Sequence, residues 1–223
     1  ETFAALFETI IYCVLPDGHM LAYPIPNLDG GLSQGQRLIN FIWYRNVAAG
    51  EDLEALMTDR TNSVRSISVP PGSVREAFVQ ELRSAAEEQL PAIFRELVTK
   101  VREPFIQQVL DVEVPRMAFG RTCLIGDAAF TARPHPAAGT AKAADDAWSL
   151  GQFAGGAQAD LALSLRAWER QRLRVGSELV ARGKDMGRRS QFLNRFVPGD
   201  PSLAFGLYRP GDSRLPAGNP KLP

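Results

Sequence analysis

The chain has 223 residues, 45% of them hydrophobic, which is enough for one large domain or two small ones with a sizeable core. Its 25 Lys and Arg residues balance 25 Asp and Glu residues, so no broad basic surface for nucleic acid is expected. No apolar run approaches the roughly 18 residues that a membrane-spanning helix requires, and the sequence shows no basic-then-apolar signal-peptide pattern, so no membrane partner is expected.

The first predicted elements are three strands, over residues 9–15, 19–25 and 37–47. A Pro-Asp-Gly turn joins the first two, and a Gly-rich loop leads into the third. They most simply form an antiparallel meander with one covered face. The other face would carry Tyr23 and Tyr44, which we expect to line a substrate site unless they pack in the core like most strand aromatics.

The next part of the chain is predicted to be helical. Ser73 and Glu76 have the spacing of a capping box, and Pro91 suits the first turn of a helix. The predicted helices cover residues 51–59, 73–89 and 91–100.

Strand and helix patterns alternate in the remainder. The predicted elements are a strand over 105–114, a short buried strand over 121–125, helices over 139–153 and 158–184, and an extended Pro- and Gly-rich tail from 197. The last helix carries a basic run, which we expect to be a solvated helix face, formed by Arg166, Arg170, Arg172 and Arg174.

Cysteine and histidine usage argues against a metal site. Cys13 and Cys123 both lie in apolar strand-like runs, so they are expected to be buried free thiols in a reducing cytoplasm. With only His19 and His135 and no paired Cys motif, no metal is expected.

The most informative stretch covers residues 121–150. Its strand ends in Gly126, whose missing side chain permits close approach of another group. Asp127 follows, at the strand end where open α/β sheets place their ligands, and its carboxylate would accept hydrogen bonds from sugar or ribityl hydroxyls. The alternative is that Asp127 caps a turn.

A proline-stiffened turn and a helix follow this Gly-Asp pair. Pro134 offers a flat apolar wall that cannot donate a backbone hydrogen bond. Small residues at Gly139 and Thr140 would leave the first N–H groups of the helix uncovered, which favours an electron-rich or anionic partner. A reduced flavin meets that requirement. The alternative is an ordinary, tightly packed helix N-terminus.

This pattern resembles the second FAD-binding motif of the class A flavoprotein aromatic hydroxylases. The motif residues are Gly126-Asp-Ala-Ala, Pro134, Gly139 and Ala144-Asp-Asp-Ala147. Stretches similar to the dihydroxypyridine hydroxylases of that family are Gly18-His-Met-Leu-Ala-Tyr-Pro-Ile-Pro26, Phe41-Ile-Trp-Tyr-Arg-Asn46, Val114-Pro-Arg-Met-Ala-Phe-Gly120 and Arg133-Pro-His-Pro-Ala-Ala-Gly-Thr-Ala-Lys-Ala-Ala144. The resemblance covers most of residues 9–185.

The resemblance implies a role for each matching residue. Asp127 would bind the FAD ribityl chain, Pro134 would pack beside the isoalloxazine, and the backbone from Ala138 through Gly139 and Thr140 to Ala141 would contact the pyrimidine edge. The implied reaction is reduction of FAD by NAD(P)H and addition of O2 to give a flavin C4a-hydroperoxide. This species would hydroxylate an electron-rich aromatic or heteroaromatic ring, such as a dihydroxypyridine.

The chain departs from the family pattern in three places. Phe130 stands where many members have His, and Arg133 stands where many have Pro. The first FAD motif, a Gly-x-Gly-x-x-Gly turn after an N-terminal strand, is absent from the sequence. We therefore expect the chain to be a C-terminal portion of such an enzyme, inactive alone and with weak or absent FAD binding. The alternative is a stand-alone module that binds an aromatic ligand without redox chemistry.

His135 lies between two prolines beside the expected flavin ring. There it would hydrogen-bond or deprotonate a substrate hydroxyl as the catalytic residue, the alternative being a structural turn histidine.

The expected fold class is α+β, with an antiparallel substrate-domain sheet joined to part of an FAD-binding domain with long helices. The expected division is a substrate-domain portion over 1–115, the FAD-domain portion over 116–190 and a tail over 191–223. Exposed apolar surface is expected to lead to a homodimer or other self-association.

Overall fold

The computed structural model describes residues 6, 9–154, 160–197, 200 and 205–207. The chain forms two compact units, of which the first comprises the residues up to Gln108 and Arg189–Arg195, and the second comprises Val109–Arg188 and the described residues from Phe196. Most of the predicted tail over 191–223 lies outside the described residues. Helices and antiparallel sheets occur together, so the predicted α+β class is confirmed.

The first unit is built on a three-stranded antiparallel sheet of β1 (Ile11–Leu15), β2 (Gly18–Ile25) and β3 (Leu38–Tyr44), as the sequence predicted. A two-residue turn joins β1 and β2, and its Asp17 has a φ of 59°. Gly18 is required here, because a Cβ at this position would lie 2.5 Å from the carbonyl oxygen of Tyr44.

The two faces of this sheet differ in character, because side chains alternate across each strand. The covered face packs on the helices that follow and forms the first core, whose fully enclosed members are Leu6, Cys13, Met20, Ala22, Ala86, Leu90, Phe94 and Val98. The register His19↔Tyr44 and Tyr23↔Asn40 places Tyr23 and Tyr44 together on the opposite face.

Helices α1 (Glu51–Met57), α2 (Glu76–Gln89) and α3 (Ala92–Lys100) follow the sheet. The predicted capping box is wrong: Arg75 precedes α2 in extended conformation, and no side chain caps the helix. The backbone N–H of Ser73 instead donates to the carbonyl of Pro70, because Ser73 belongs to a turn.

A loop after α1 is organised by one carboxylate. Asp59 is 1% exposed and accepts hydrogen bonds from the backbone N–H groups of Thr61 and Ser63 at 2.8 and 3.0 Å. Its other oxygen pairs with Arg65 at 2.6 Å. The hydroxyl of Thr61, the N–H of Ser63 and the remaining donors hold the pKa of Asp59 well below its usual range.

The prediction of one strand over 105–114 is wrong. Two short strands occur there instead, Ile106–Gln107 in the first unit and Val112–Glu113 in the second. The short pairs are β4 (Ser68–Val69) with β5 (Ile106–Gln107), β6 (Val112–Glu113) with β9 (Phe130–Thr131), and β7 (Ala118–Phe119) with β8 (Thr122–Cys123). The predicted buried strand over 121–125 shrinks to β8, and Ile125 is exposed, because β8 pairs only with β7.

Two helices complete the second unit, α4 (Gly139–Ala154) and α5 (Leu161–Gln191). Helix α5 extends beyond the predicted end at Lys184, and its last turn is counted with the first unit. A second core lies between α4, α5 and the short strands, with Met117, Ala129, Phe130, Trp168 and Val180 as its enclosed residues. Among the helices of the described residues, none combines the length and apolar character that crossing a membrane requires.

Candidate functional site

The Gly-Asp pair lies in a tight turn of the second unit. Gly126–Ala128 form one turn of 3₁₀ helix, with Gly126 buried at a φ of 57° and Asp127 exposed to solvent. Asp127 thus leaves a 3₁₀ turn and not the carboxyl end of a parallel strand, which corrects the sheet-edge expectation. Its carboxylate is nevertheless presented outward, where it can accept hydrogen bonds from a ligand.

Two charged side chains of α4 hold the peptide groups of Gly126 from inside the protein. The N–H of Gly126 donates to Asp146 Oδ2 at 2.9 Å, and its carbonyl oxygen accepts from Lys142 Nζ at 2.9 Å. Lys142 and Asp146 also pair with each other at 2.7 Å, and they are only 1% and 0% exposed. The turn is therefore fixed by a buried ion pair.

Helix α5 completes the charge balance of this network. Arg172 donates through Nε to Asp146 Oδ1 at 2.7 Å and pairs through Nη1 with Asp145 at 2.6 Å. Two cations and two carboxylates thus meet at the Gly126 turn. Buried charges persist when they are paired and hydrogen-bonded in this way.

The prediction of a solvated basic face on α5 is wrong for Arg172, which is 1% exposed, whereas Arg166, Arg170 and Arg174 are exposed. The physical reason is helical phase: Arg172 follows Leu165 and Trp168 on the buried stripe of the helix. That phase is the sequence signal that could have found it.

The start of α4 presents small, open residues. Ala138 is buried, whereas Gly139, Thr140 and Ala141 are exposed, and a Cβ at Gly139 would meet nothing within 4 Å. Pro134 is exposed on the turn before the helix. The Gly126 turn therefore lies against α4 in the second unit, which also contains the exposed Pro134.

His135 and Arg133 point away from this open surface. His135 is 4% exposed and lies beside Gly187 of α5, where a Cβ would stand 3.4 Å from His135 Cε1. Arg133 pairs with Asp111 and runs along Gly183 and Gly187. The side chains of the proline turn therefore dock on a glycine-lined face of α5, a packing role that the sequence analysis did not find.

The sheet face opposite the first core carries a cluster of polar aromatic groups. The ring of His19 stacks on Tyr44 at 4.4 Å and on Tyr12 at 6.3 Å between centroids, and its Nδ1 lies 2.6 Å from Ser190 Oγ. Tyr44 is 4% exposed, and Tyr23 is half-buried on the same face. Burial, with smaller contributions from its tyrosine neighbours, raises the pKa of Tyr44.

This aromatic cluster extends the predicted pair of tyrosines. Tyr12, His19 and Ser190 were not predicted as site residues. The alternation within β1 and β2 places Tyr12 and His19 on the face of Tyr23, so the strand pattern could have found them. No sequence signal links Ser190 to the sheet, because it lies 171 positions along the chain from His19.

Known proteins are similar to this chain in sequence. The family model described as FAD binding domain-like matches residues 1–111. Over 200 residues the chain is 43% identical to the 2,6-dihydroxypyridine 3-monooxygenase of Paenarthrobacter nicotinovorans, a match that covers 90% of this chain and 49% of that protein.

Solved structures share the fold. The structure of 2,6-dihydroxypyridine-3-hydroxylase from Arthrobacter nicotinovorans matches with a TM-score of 0.79 and 41% identity, covering 88% of this chain and 49% of that one. Klebsiella pneumoniae HpxO, complexed with FAD and uric acid, matches in fold with a TM-score of 0.63 at 17% identity, over 86% of this chain and 42% of that one. The resemblance found in the sequence is confirmed: the chain is similar to FAD-dependent aromatic hydroxylases, and it spans about half the length of the curated relatives it matches.

Proposed function

We propose that this chain serves an FAD- and NAD(P)H-dependent monooxygenase that hydroxylates an electron-rich aromatic or heteroaromatic ring, such as a dihydroxypyridine. The observation that carries the proposal is the outward-facing Asp127 on a buried, charge-fixed turn beside the open start of α4. Similarity to a dihydroxypyridine monooxygenase supports the substrate class. We place this enzyme in the cytoplasm, because both cysteines are free thiols.

The residues of the second unit fit the flavin half of FAD. A ribityl chain offers hydroxyl donors, and Asp127 is an exposed carboxylate acceptor. The open space at Gly139 admits a ring edge close to the backbone, where the N-terminus of a 16-residue helix favours negative charge. Pro134 supplies an exposed apolar surface without a backbone donor.

When bound, FAD would accept hydride from NAD(P)H and activate O2 for transfer to the substrate. The contribution of the chain is placement and electrostatics. Asp127 orients the ribityl chain, and the backbone from Ala138 to Ala141 stabilises negative charge at the pyrimidine edge by its helix N-terminus. His135 stays a candidate for handling a substrate proton, although its burial beside Gly187 favours the structural alternative.

The aromatic cluster of the first unit is proposed to bind the substrate ring. Tyr23 is half-buried and offers aromatic surface and a hydroxyl group, which suit a small planar ring with polar substituents, and the buried Tyr44 is proposed to shape this face through its stack on His19. His19, held between Tyr44 and Ser190, adds a group that can accept or donate a proton.

The test uses protein expressed from the complete reading frame. It should purify with bound FAD, and addition of 2,6-dihydroxypyridine should increase NAD(P)H oxidation and yield a product with one added oxygen. Products identified by mass spectrometry separate hydroxylation from other flavin reactions. A protein that holds no flavin at saturating FAD would overturn the proposal.

We further propose that these 223 residues alone bind FAD weakly and are inactive, because their sequence contains no Gly-x-Gly-x-x-Gly turn to hold the pyrophosphate. A flavin absorption spectrum that persists through gel filtration of the 223-residue chain would contradict this. The same experiment tests the proposed self-association through the elution volume. Exposed apolar residues such as Phe105, Phe119 and Trp148 support association.

A second candidate function is a binding module for an aromatic ligand, without redox chemistry. The specific observation in its favour is that the aromatic cluster lies wholly within the first unit, so its members need no flavin to assemble. Calorimetry of the 223-residue chain with 2,6-dihydroxypyridine distinguishes the two. Tight binding without flavin favours the module, and binding that requires FAD favours the enzyme.

A further inference from the structure

We infer that Asp146 is a positioning residue whose buried carboxylate, balanced by Lys142 and Arg172, sets the direction of Asp127 for the ribityl chain. This inference rests on the proposed function for the identity of the ligand. Asp146 itself touches no open surface, since it is 0% exposed.

Residues of α4 hold the backbone of Gly126 in its conformation. Its φ of 57° lies in the left-handed region, and its buried N–H needs an acceptor, whereas its carbonyl oxygen already accepts from the backbone N–H of Ala129 at 3.2 Å within the turn. Asp146 Oδ2 accepts from the N–H and Lys142 donates to the carbonyl. Both peptide groups that flank this φ angle are therefore fixed by α4, and the next residue in the chain is Asp127.

The position of α4 is the second step. The residues that hold Gly126 belong to the same helix whose first turn presents Gly139 and Thr140 to the proposed flavin edge. A Cβ on Gly126 would lie 3.2 Å from Cβ of Ala143, so turn and helix are also in close contact. One helix thus carries the pyrimidine-edge contacts and fixes the distance from them to the ribityl carboxylate.

Charge balance is the third step. The Lys142–Asp146 pair is closed by Arg172, which also binds Asp145. Removal of the Asp146 charge would leave two buried cations against one carboxylate. Lys142 would then lose the ion pair that holds it at the Gly126 carbonyl. Asp145 is the matched control, because it is the neighbour of Asp146 on α4 and carries the same charge, and it pairs with Arg172 of α5.

The experiment compares Asp146→Asn with Asp145→Asn by amide hydrogen exchange in the 223-residue chain. We expect exchange of the Gly126 amide to rise by about tenfold or more in Asp146→Asn, while peptides of β1 to β3 are unchanged. Asp145→Asn should change the Gly126 amide by less than about twofold. An equal rise in the two variants, or no rise in Asp146→Asn, overturns the inference.

Where Asp146→Asn does not fold, the double variant Lys142→Met with Asp146→Asn replaces it. That variant keeps the buried charge balanced, because Arg172 and Asp145 remain paired. It should fold and still exchange the Gly126 amide about tenfold faster than the parent chain. Protection equal to that of the parent overturns the inference.

A second arm measures FAD affinity by fluorescence titration of the protein from the complete reading frame. Asp146→Asn should weaken FAD binding by about tenfold or more at an unchanged urea midpoint of the first unit, and Asp145→Asn by less than about twofold. A merely structural role would lower stability without this selectivity. If the parent protein binds no FAD, the proposed function fails, whereas the exchange arm still decides whether Asp146 positions the turn.

Discussion

Gly176 of α5 is a position where one added methyl group should have a large and specific effect. A Cβ at Gly176 would lie 2.4 Å from Cγ of Phe130, whose side chain is 1% exposed in the second core. Carbon atoms in contact are normally about 3.5–4.0 Å apart. The Gly176→Ala variant therefore requires the ring or the helix to move by about 1 Å, which is the shortfall between these two distances.

Two opposing terms set the magnitude. Overpacking a close-packed core costs about 1–3 kcal/mol, and a buried ring with a shortfall of this size belongs near the upper end. Replacing Gly by Ala within a helix returns up to about 1 kcal/mol. The net loss of unfolding free energy should be about 1–2 kcal/mol, which lowers the melting temperature by about 2–8 °C for a chain of this size.

The assay is urea denaturation of the second unit, followed by the fluorescence of Trp168. This residue is one of three tryptophans and is fully buried beside Phe130 in the second core, so replacing Trp43 and Trp148 by Phe isolates its signal. Gly151→Ala is the matched control, because a Cβ there meets nothing within 4 Å on a helix of the same unit. It should leave stability unchanged or raise it by up to about 1 kcal/mol.

A second substitution tests the same contact. Phe130→Leu removes part of the ring with which a methyl group at position 176 would overlap. The double variant should therefore lose less unfolding free energy than the sum of the losses in the two single variants. A coupling of about 1 kcal/mol is expected. Equal stability of Gly176→Ala and Gly151→Ala, or strict additivity with Phe130→Leu, would refute the packing described for this helix face.

Three further predictions concern single side chains. Asp59→Asn should lower stability at pH 7 and reduce the loss of stability below about pH 4, because the pKa of Asp59 is lower in the folded chain than in the unfolded chain. Such a carboxylate stabilises the fold above its unfolded pKa, and this contribution is lost as the pH falls. Urea midpoints from pH 7 to pH 2 test this, and parallel curves for variant and parent would contradict it. Tyr44→Phe should remove a loss of stability above about pH 10, because burial raises the pKa of Tyr44 in the folded chain and the same hydroxyl ionises at lower pH in the unfolded chain. Urea midpoints between pH 9 and pH 11 test this, and an equal slope in variant and parent would speak against it. Asp127→Ala should weaken FAD binding by about tenfold or more, because it removes the proposed acceptor for the ribityl chain. The urea midpoint should not change, because the Asp127 side chain is exposed. Fluorescence titration measures the affinity, and unchanged binding would count against the proposed role.

The larger elements of the fold were predictable because their signals are local. The alternation and turn chemistry before β3 gave the meander, and helices α2 and α3 fell within about two residues of the predicted ends apart from the cap at Ser73. The two-residue strands β4 to β9 were not predictable in the same way. Two of their three pairings join distant residues, as in Ser68 with Gln107, and strands of two residues are too short to show a periodicity.

In the proposed site, the residues that face outward were predictable and those that support them were not. Gly126, Asp127 and Gly139 stand out in the sequence because small residues and a lone carboxylate follow apolar runs. Lys142 and Asp146 look like an exposed i, i+4 pair on a helix, which is the usual arrangement. Their burial follows from the phase they share with Leu150 and Phe153, which pack against the second core.

The buried charges also explain how a turn this open can be stable. The surface proposed for flavin consists of small residues and backbone, which make few contacts of their own and would leave a Gly-containing turn mobile. The lysine and the aspartate that hold Gly126 are buried, whereas the next residue, Asp127, is exposed. The groups that make the turn rigid are therefore different from the group proposed to meet the ligand. A hydrophobic replacement of the pair would pack as well but would leave the N–H of Gly126 without its carboxylate acceptor. Ionisable residues are therefore retained in this core for the backbone geometry that they impose on the turn before Asp127.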